Sequence, residues 1–328
     1  MWRKASVVVF IGGVVSFSLA YVTAAQAVDR PPRHLASIAA QVGDTTPPPP
    51  LADETPPPPS PDTAPAPTPA PAPAPTHPSF DPLVAAVDAI ATSSGAPVGI
   101  SLIELGGTAP ASWSAGGSVR MDAASTYKLP ALMAEAQAIA EGRVNPADTV
   151  CFQDSDWEDG WFQDYTTGDC YSRNELADRA GHFSDNTAGH MLVRDIGGGS
   201  ALNAYAAGLG ASGSSFFDVN QTTSDDLARL LAAEAAGKAG GPKAQLWLYP
   251  YLTNSKFESG IPAGMPAGTL VIHKTGELDP EVNDAAIVSG GHGGAYVLVV
   301  MTNGPGGDTA WGLIAQISAA VWAYESTR

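Results

Sequence analysis

Ser125 and Lys128, in the stretch "STYKLPALMAEAQAIAEG", are the pair whose types and spacing suit nucleophilic chemistry. A serine hydroxyl is a weak nucleophile until a neighbouring base takes its proton. Residues three apart on a helix share a face, so a helix starting near Ser125 returns the lysine amine over that hydroxyl. The amine works as a base only when neutral, a form favoured by burial and by a second cation nearby. Lysine is scarce in this chain, at Lys4, Lys128, Lys238, Lys243, Lys256 and Lys274, so one at the mouth of an apolar run needs a reason. The plainer reading is a helix N-cap followed by a solvated lysine. The two readings are compatible, because a serine at a helix start also gains the dipole and a free backbone N–H.

Two further strings follow in order: "SDN" at Ser184–Asn186 and "KTG" at Lys274–Gly276. With "STYK" they resemble the motif set of the serine β-lactamase and penicillin-binding protein superfamily, on its class A-like side. "EGRVNPADTV", "NTAGHMLVRDIGG", "TTSDDLARLL" and "NDAAIV" resemble that family's flanking segments, so the likeness spans most of the folded part. The resemblance implies that Ser125 takes the acyl group, that Lys128 is its base, and that Ser184 relays a proton to the leaving nitrogen. It also implies that Asn186 holds Lys128 and the substrate amide, and that Lys274 and Thr275, with Gly276, receive the substrate carboxylate. The oxyanion hole would be the backbone N–H groups of Ser125 and Glu277. Asp185 reads as a structural member of its turn. His273, before Lys274, reads as a strand-end histidine able to tune the pocket's charge.

These residues need elements to position them. "DPLVAAVDAIATSSG" reads as a helix stopped by Gly95, and "VGISLIEL" as a strand. Helices follow near Ser125 and at "NELADRA", "NTAGHMLVRDI" and "SDDLARLLAAEAAG", the last the most clearly periodic. "GTLVIHKT", "NDAAIVS" and "AYVLVVMT" read as strands, and "AWGLIAQISAAVWAYE" as a closing helix. Strands at both ends with helices between predict a mixed α/β (α+β) fold of β-lactamase/transpeptidase type. Its antiparallel sheet would lie beside a helical block, with the site in the crevice between them.

The pattern departs from the family in three places. Class A enzymes carry an Ω-loop glutamate that activates the deacylating water, and here no glutamate lies between Asn186 and Ala233. "FFDVNQ" stands where a longer segment is usual, and Asp218 is a shorter-armed candidate substitute, a turn or capping role being the commoner use of such an aspartate. Glu277 follows "KTG" where a small or hydroxyl residue is usual, which would disfavour anionic β-lactams or select a substrate with a nearby amine. No arginine follows it before Arg328. Finally, "FQDSDWEDGWFQDYTTGD" lies between Cys151 and Cys170, the two cysteines of the chain. Its acidic residues do not match a calcium loop. By position it should form part of the crevice rim, with Trp157, Trp161 or Tyr165 toward a ligand, or else a disulfide-held structural loop.

The bulk numbers set the class. A net charge of −17 argues against nucleic acid and against an anionic membrane surface. An apolar content of 44% fits a globular core. Residues 1–27 read as a signal peptide, or as an uncleaved anchor tethered through residues 5–22, so the chain is expected to be exported to the cell envelope or beyond. In such a compartment Cys151 and Cys170 are expected to pair, contributing about 3 kcal/mol, with two buried thiols as the alternative. Residues 28–79 are rich in proline and alanine and read as an extended spacer, leaving residues 80–328 as one folded domain. No metal or cofactor is expected, and no motif competes with the serine–lysine pair. The expected partner is a small β-lactam or a cell-wall peptide, acted on by a monomer. An inactive module that keeps the fold and binds at the envelope is the reading from a different class.

Overall fold

The computed structural model describes residues 77–291 and 293–328. The expected signal or anchor segment and nearly all of the proline-rich spacer lie outside the described residues.

Helix α1, Asp81–Ser94, ends where Gly95 turns left-handed at φ 65°. It leads into β1, Val98–Glu104, and β2, Ser112–Ala115. The chain then crosses through helices and returns as β7, Val271–Leu278, β8, Glu281–Gly291, and β9, Gly294–Asn303. These form one five-stranded antiparallel sheet in the order β2-β1-β9-β8-β7. The two ends of the folded part therefore meet as expected, with Ile100 opposite Val300 in the β1–β9 ladder.

Both faces of the sheet are covered. The closing helix α8, Gly307–Glu325, and α1 pack on one face against Leu102, Val282, Leu298 and Val300. On the other face Val297, Val299 and Met301 join the core of the helical block. A strand buried on both faces cannot alternate apolar and polar, which is why "AYVLVVMT" is a continuous apolar run.

The helical block is built around α2, Lys128–Ala140, whose Leu129, Ala131, Leu132, Met133 and Ala136 are fully buried on every side. Pro130 is tolerated there because it sits in the first turn. Around it lie α3, Arg173–Gly181, α4, Asn186–Asp195, α5, Gly198–Gly208, α6, Ser224–Ala235, and α7, Gly241–Leu248. Ser172, Asp185 and Thr223 cap α3, α4 and α6 by accepting the N–H groups of Glu175, Ala188 and Asp226. Two small ladders complete the block. In one, β3 (Met121–Asp122) pairs with β6 (Gln221–Thr222); in the other, β4 (Thr149–Cys151) pairs with β5 (Cys170–Ser172). Cys151 and Cys170 face each other in that second register and form the disulfide.

Candidate active site

Ser125 lies in a tight 3-10 turn, Ala124–Tyr127, that runs directly into α2 at Lys128. Its side chain caps no backbone group, so the N-cap alternative is not realised. The turn is strained: Ala124 has a φ of 44°, in the left-handed region that a side chain disfavours. Its neighbours hold it there. The Ala124 N–H donates to Asp122 Oδ1 at 2.7 Å, and Asn220 Nδ2 donates to the Ala124 carbonyl at 3.1 Å. Asn220 belongs to the short "FFDVNQ" stretch, which therefore buttresses the nucleophile turn.

Lys128 is fully buried, and its Nζ sits 2.7 Å from Ser125 Oγ. It donates to the Ser184 carbonyl and to Asn186 Oδ1, each at 2.7 Å. Burial, reinforced by the charge of Lys274, pulls its pKa well below the ordinary lysine value. A neutral amine has two hydrogens and one lone pair. In that form its two hydrogens would serve the two carbonyl acceptors and its lone pair would face the serine O–H, whereas the charged form would donate to all three.

Ser184, at φ 56°, is the second strained residue of the crevice. Its hydroxyl lies between the two lysines, accepting from Lys274 Nζ at 2.9 Å and 3.5 Å from Lys128 Nζ. Asp185 behind it is fully buried and accepts from Ala188 N–H, Phe162 N–H and the Tyr165 hydroxyl, which is the structural role expected of it.

Lys274 comes from β7, and burial lowers it to about 7 against the opposing pull of Asp284. His273 points to the other face of the strand. Burial works against its charge, but the Asp284 and Glu258 carboxylates, at 2.9 and 3.2 Å, outweigh it and lift the imidazole to about 9. The histidine is thus a partnered, buried member of the strand. Gly276 is fixed by close approach, because a Cβ there would fall 2.7 Å from the Ala123 carbonyl and 3.0 Å from the Ser125 nitrogen. With no side chain at that point, β7 can lie against the nucleophile turn.

Ser125, Ser184, Asn186, Thr275, Gly276 and Glu277 line one open cavity of about 250 Å³, with Trp161, Phe183, Phe257 and Trp311 as its aromatic wall. A larger hollow of about 580 Å³ runs past Thr253, Glu258, Leu270 and Trp322, but it holds no nucleophile beside a base. Among the described residues no group of histidine, cysteine, aspartate and glutamate could hold a metal ion.

Two readings that the sequence leaves open are narrowed. Of the three rim aromatics, only Trp161 lines the cavity. Tyr165 turns inward to Asp185, and Trp157 borders a separate hollow beside Phe152 and Asp154. Asp218 faces Gly199 at the start of α5, where a Cβ would come within 2.8 Å of its carboxylate, and it does not border the Ser125 cavity. The sequence reading passed over Phe183, Phe257 and Trp311. Phe183 immediately precedes Ser184, and that adjacency was the available signal.

A family model described as the beta-lactamase enzyme family matches residues 82–325. The chain belongs to that family. Curated beta-lactamases of Mycobacterium tuberculosis and Mycobacterium bovis are each 32% identical over 152 residues, which is 40% of this chain and 50% of theirs. The chain thus spans about half the length of the curated relatives it matches. Among solved structures, PBP-A is 26% identical with a TM-score of 0.70, covering 77% of this chain and 100% of that one. A PBP-A mutant solved as an acyl-enzyme complex with penicillin G is 25% identical with a TM-score of 0.69, over 76% of this chain and 97% of that one. A beta-lactamase from Sphaerobacter thermophilus, 23% identical with a TM-score of 0.67 over 76% of this chain and 98% of that one, shares the family's fold.

Proposed function

We propose that this chain is an exported serine hydrolase that takes acyl groups onto Ser125, with β-lactams as the substrate class. The observation that carries the proposal is the fully buried Lys128 amine 2.7 Å from the Ser125 hydroxyl, with burial and Lys274 lowering its pKa toward the neutral form a base needs. In this reading Lys128 takes the serine proton as Oγ attacks the ring carbonyl. The oxyanion forms against the N–H groups of Ser125 and Glu277. Ser184, bonded to Lys274, delivers a proton to the leaving nitrogen. Lys274 and Thr275 receive the substrate carboxylate, and Asn186 holds its amide. Glu277 and the aromatic wall favour an acyl donor that carries an amine. The likeness to PBP-A, captured elsewhere as a penicillin acyl-enzyme, supports the substrate class. The sequence segment 1–27 supports export.

A second reading, a penicillin-binding D,D-peptidase-like enzyme, is favoured by the missing Ω-loop glutamate. Intact mass measured over time with penicillin G separates the two. A short-lived adduct on Ser125 is expected for the lactamase, and a persistent one for the peptidase. Absence of any adduct, with Ser125→Ala behaving like the parent, would overturn both.

A further inference from the structure

Tyr127, one residue before the base, carries a buried hydroxyl with no hydrogen-bond partner. An orphaned buried donor of this kind is uncommon and marks a place where a water or a ligand atom belongs. The hydroxyl has room because residue 189 is glycine: a Cβ there would fall 2.7 Å from both Tyr127 Oη and Lys128 Cε. The next residue on α4 is His190, whose Nε2 lies 2.6 Å from Glu158 Oε2. The His190 ring packs edge-on against Phe217 at 4.9 Å and faces Tyr127 at 6.4 Å. Phe217 comes from the shortened stretch that lacks the family's glutamate.

Glu158 reaches this place on a strap of the disulfide loop. Its backbone N–H donates to the Thr187 hydroxyl at 3.1 Å, and that hydroxyl donates to its carbonyl at 2.9 Å. The next carbonyl, of Asp159, accepts from Asn186 Nδ2 at 2.8 Å, while the Oδ1 of the same amide accepts from Lys128. One side chain, Asn186, therefore joins the strap to the base. Glu158 is thus tied on one side to His190, whose ring packs 6.4 Å from Tyr127, and on the other, through the Asp159 carbonyl and Asn186, to Lys128. Burial pulls His190 below its usual pKa against the opposing charge of Glu158.

We propose that Glu158, oriented by His190, is the base that activates water to remove the acyl group from Ser125, in the place of the missing Ω-loop glutamate. The proposal rests on the acyl-serine reading above. Tyr127 Oη is one of the polar partners that hold the water. Glu158 takes a proton from that water as its oxygen bonds to the acyl carbonyl carbon, and the carbonyl electron pair moves onto the oxyanion. Collapse breaks the carbon–Oγ bond, and the proton taken by Glu158 is the one that restores the Ser125 hydroxyl. Water thus supplies O–H to the product acid and H to the serine. His190 is a positioning residue, because it touches the carboxylate and not the reacting atoms.

The test follows both half-reactions on the purified protein by intact mass with penicillin G. Glu158→Gln is expected to form the adduct within about threefold of the parental rate and to lose it about 100-fold more slowly. His190→Leu is expected to slow the loss about tenfold. His190→Asn, which keeps an N–H for the carboxylate, is expected to recover most of it. Loss at the parental rate in Glu158→Gln overturns the proposal. So does equal slowing of both half-reactions, which would mark the strap as mere support for the rim. A parent whose adduct never decays overturns it too, while leaving Ser125 as the acylated residue. A parent that forms no adduct overturns the acyl-serine reading, and the water base falls with it.

Discussion

The inner wall of the crevice and its rim differ in what holds them. On the wall, Lys128 is placed by the first turn of α2, Lys274 by β7 and Asn186 by the capped start of α4, all in regular backbone and two of the three fully buried. On the rim, the loop between Cys151 and Cys170 has almost no regular structure and is pinned by side chains from elsewhere. Arg179 grips Asp164 at 2.6 and 2.9 Å and lies over the rings of Phe162, Tyr165 and Tyr171. Arg194 holds Asp156 and the Cys151 carbonyl. Backbone periodicity therefore sets the spacing of the acylating groups, whereas long-range pairs set the position of any deacylating group. The two halves of the reaction should then be separable by mutation.

The strongest test removes the wall's base. Lys128→Ala is expected to lower the rate of adduct formation by about 10³-fold, since general-base catalysis contributes about 10²–10⁴. Adduct already formed on the parent enzyme shows where the rim acts; adduct never formed on Lys128→Ala shows where the wall acts. A rate within tenfold of the parent would mean that the rim supplies the acylation base as well, and the contrast would collapse.

Next comes pH. Lys274 binds the substrate carboxylate only in its charged form, and in the free protein burial has lowered it to about 7. The charged form prevails below that pH and is lost above it. Lys128 must be neutral, and its own shift, driven by burial and Lys274, puts its acidic limb well below 10.5. Lys274→Arg keeps its charge, so the parental second-order rate of adduct formation, taken relative to that variant, should fall above about pH 7. A ratio that stays flat to pH 8.5 would contradict the assignment of Lys274 to the carboxylate.

The same contrast explains what the sequence disclosed. Ser125 and Lys128 were legible because three residues on a helical turn always meet, and "KTG" because a strand ending in glycine lets β7 touch the nucleophile turn. The two-faced burial of β9 was legible in its unbroken apolar run. The pairs Glu158–His190 and Arg179–Asp164 were not, because no periodicity links residues on separate loops and helices. Asp218 is a candidate substitute glutamate by position alone; it lies against Gly199, next to a left-handed Phe217 at φ 76° that no pattern foretells. Asn220 was hidden for the same reason: its bond to Ala124 spans 96 residues and accompanies the pairing of β6 with β3.

Opening the rim should do less damage than breaking the wall. Replacing both cysteines by serine is expected to destabilise the fold by about 3 kcal/mol through the freed loop, read as a lower denaturation midpoint. The Arg179 and Arg194 contacts remain, so adduct formation should stay within about threefold of the parent. Loss of the adduct, which relies on Glu158 in the same loop, should slow more than its formation. Equal effects on both would make the loop a general support and erase the distinction.

The smallest effect on the reaction comes from a buried group that belongs to neither region. Glu234, on α6, is buried with both carboxylate oxygens unpartnered, and burial lifts its pKa from 4.5 to about 8. In the folded chain it holds its proton between these two values, while the unfolded chain has released it. The unfolded state then binds fewer protons, so stability falls as pH rises from 4.5 toward 8. Glu234→Gln removes that penalty, and its stability relative to the parent should climb by about 3–4 kcal/mol between pH 5 and pH 8. Denaturant melts at the two pH values measure it, with adduct formation and loss both unchanged. If the substitution altered either half-reaction, burial in the helical block would be coupled to the crevice. The wall and rim could then no longer be treated as the two determinants of the chemistry.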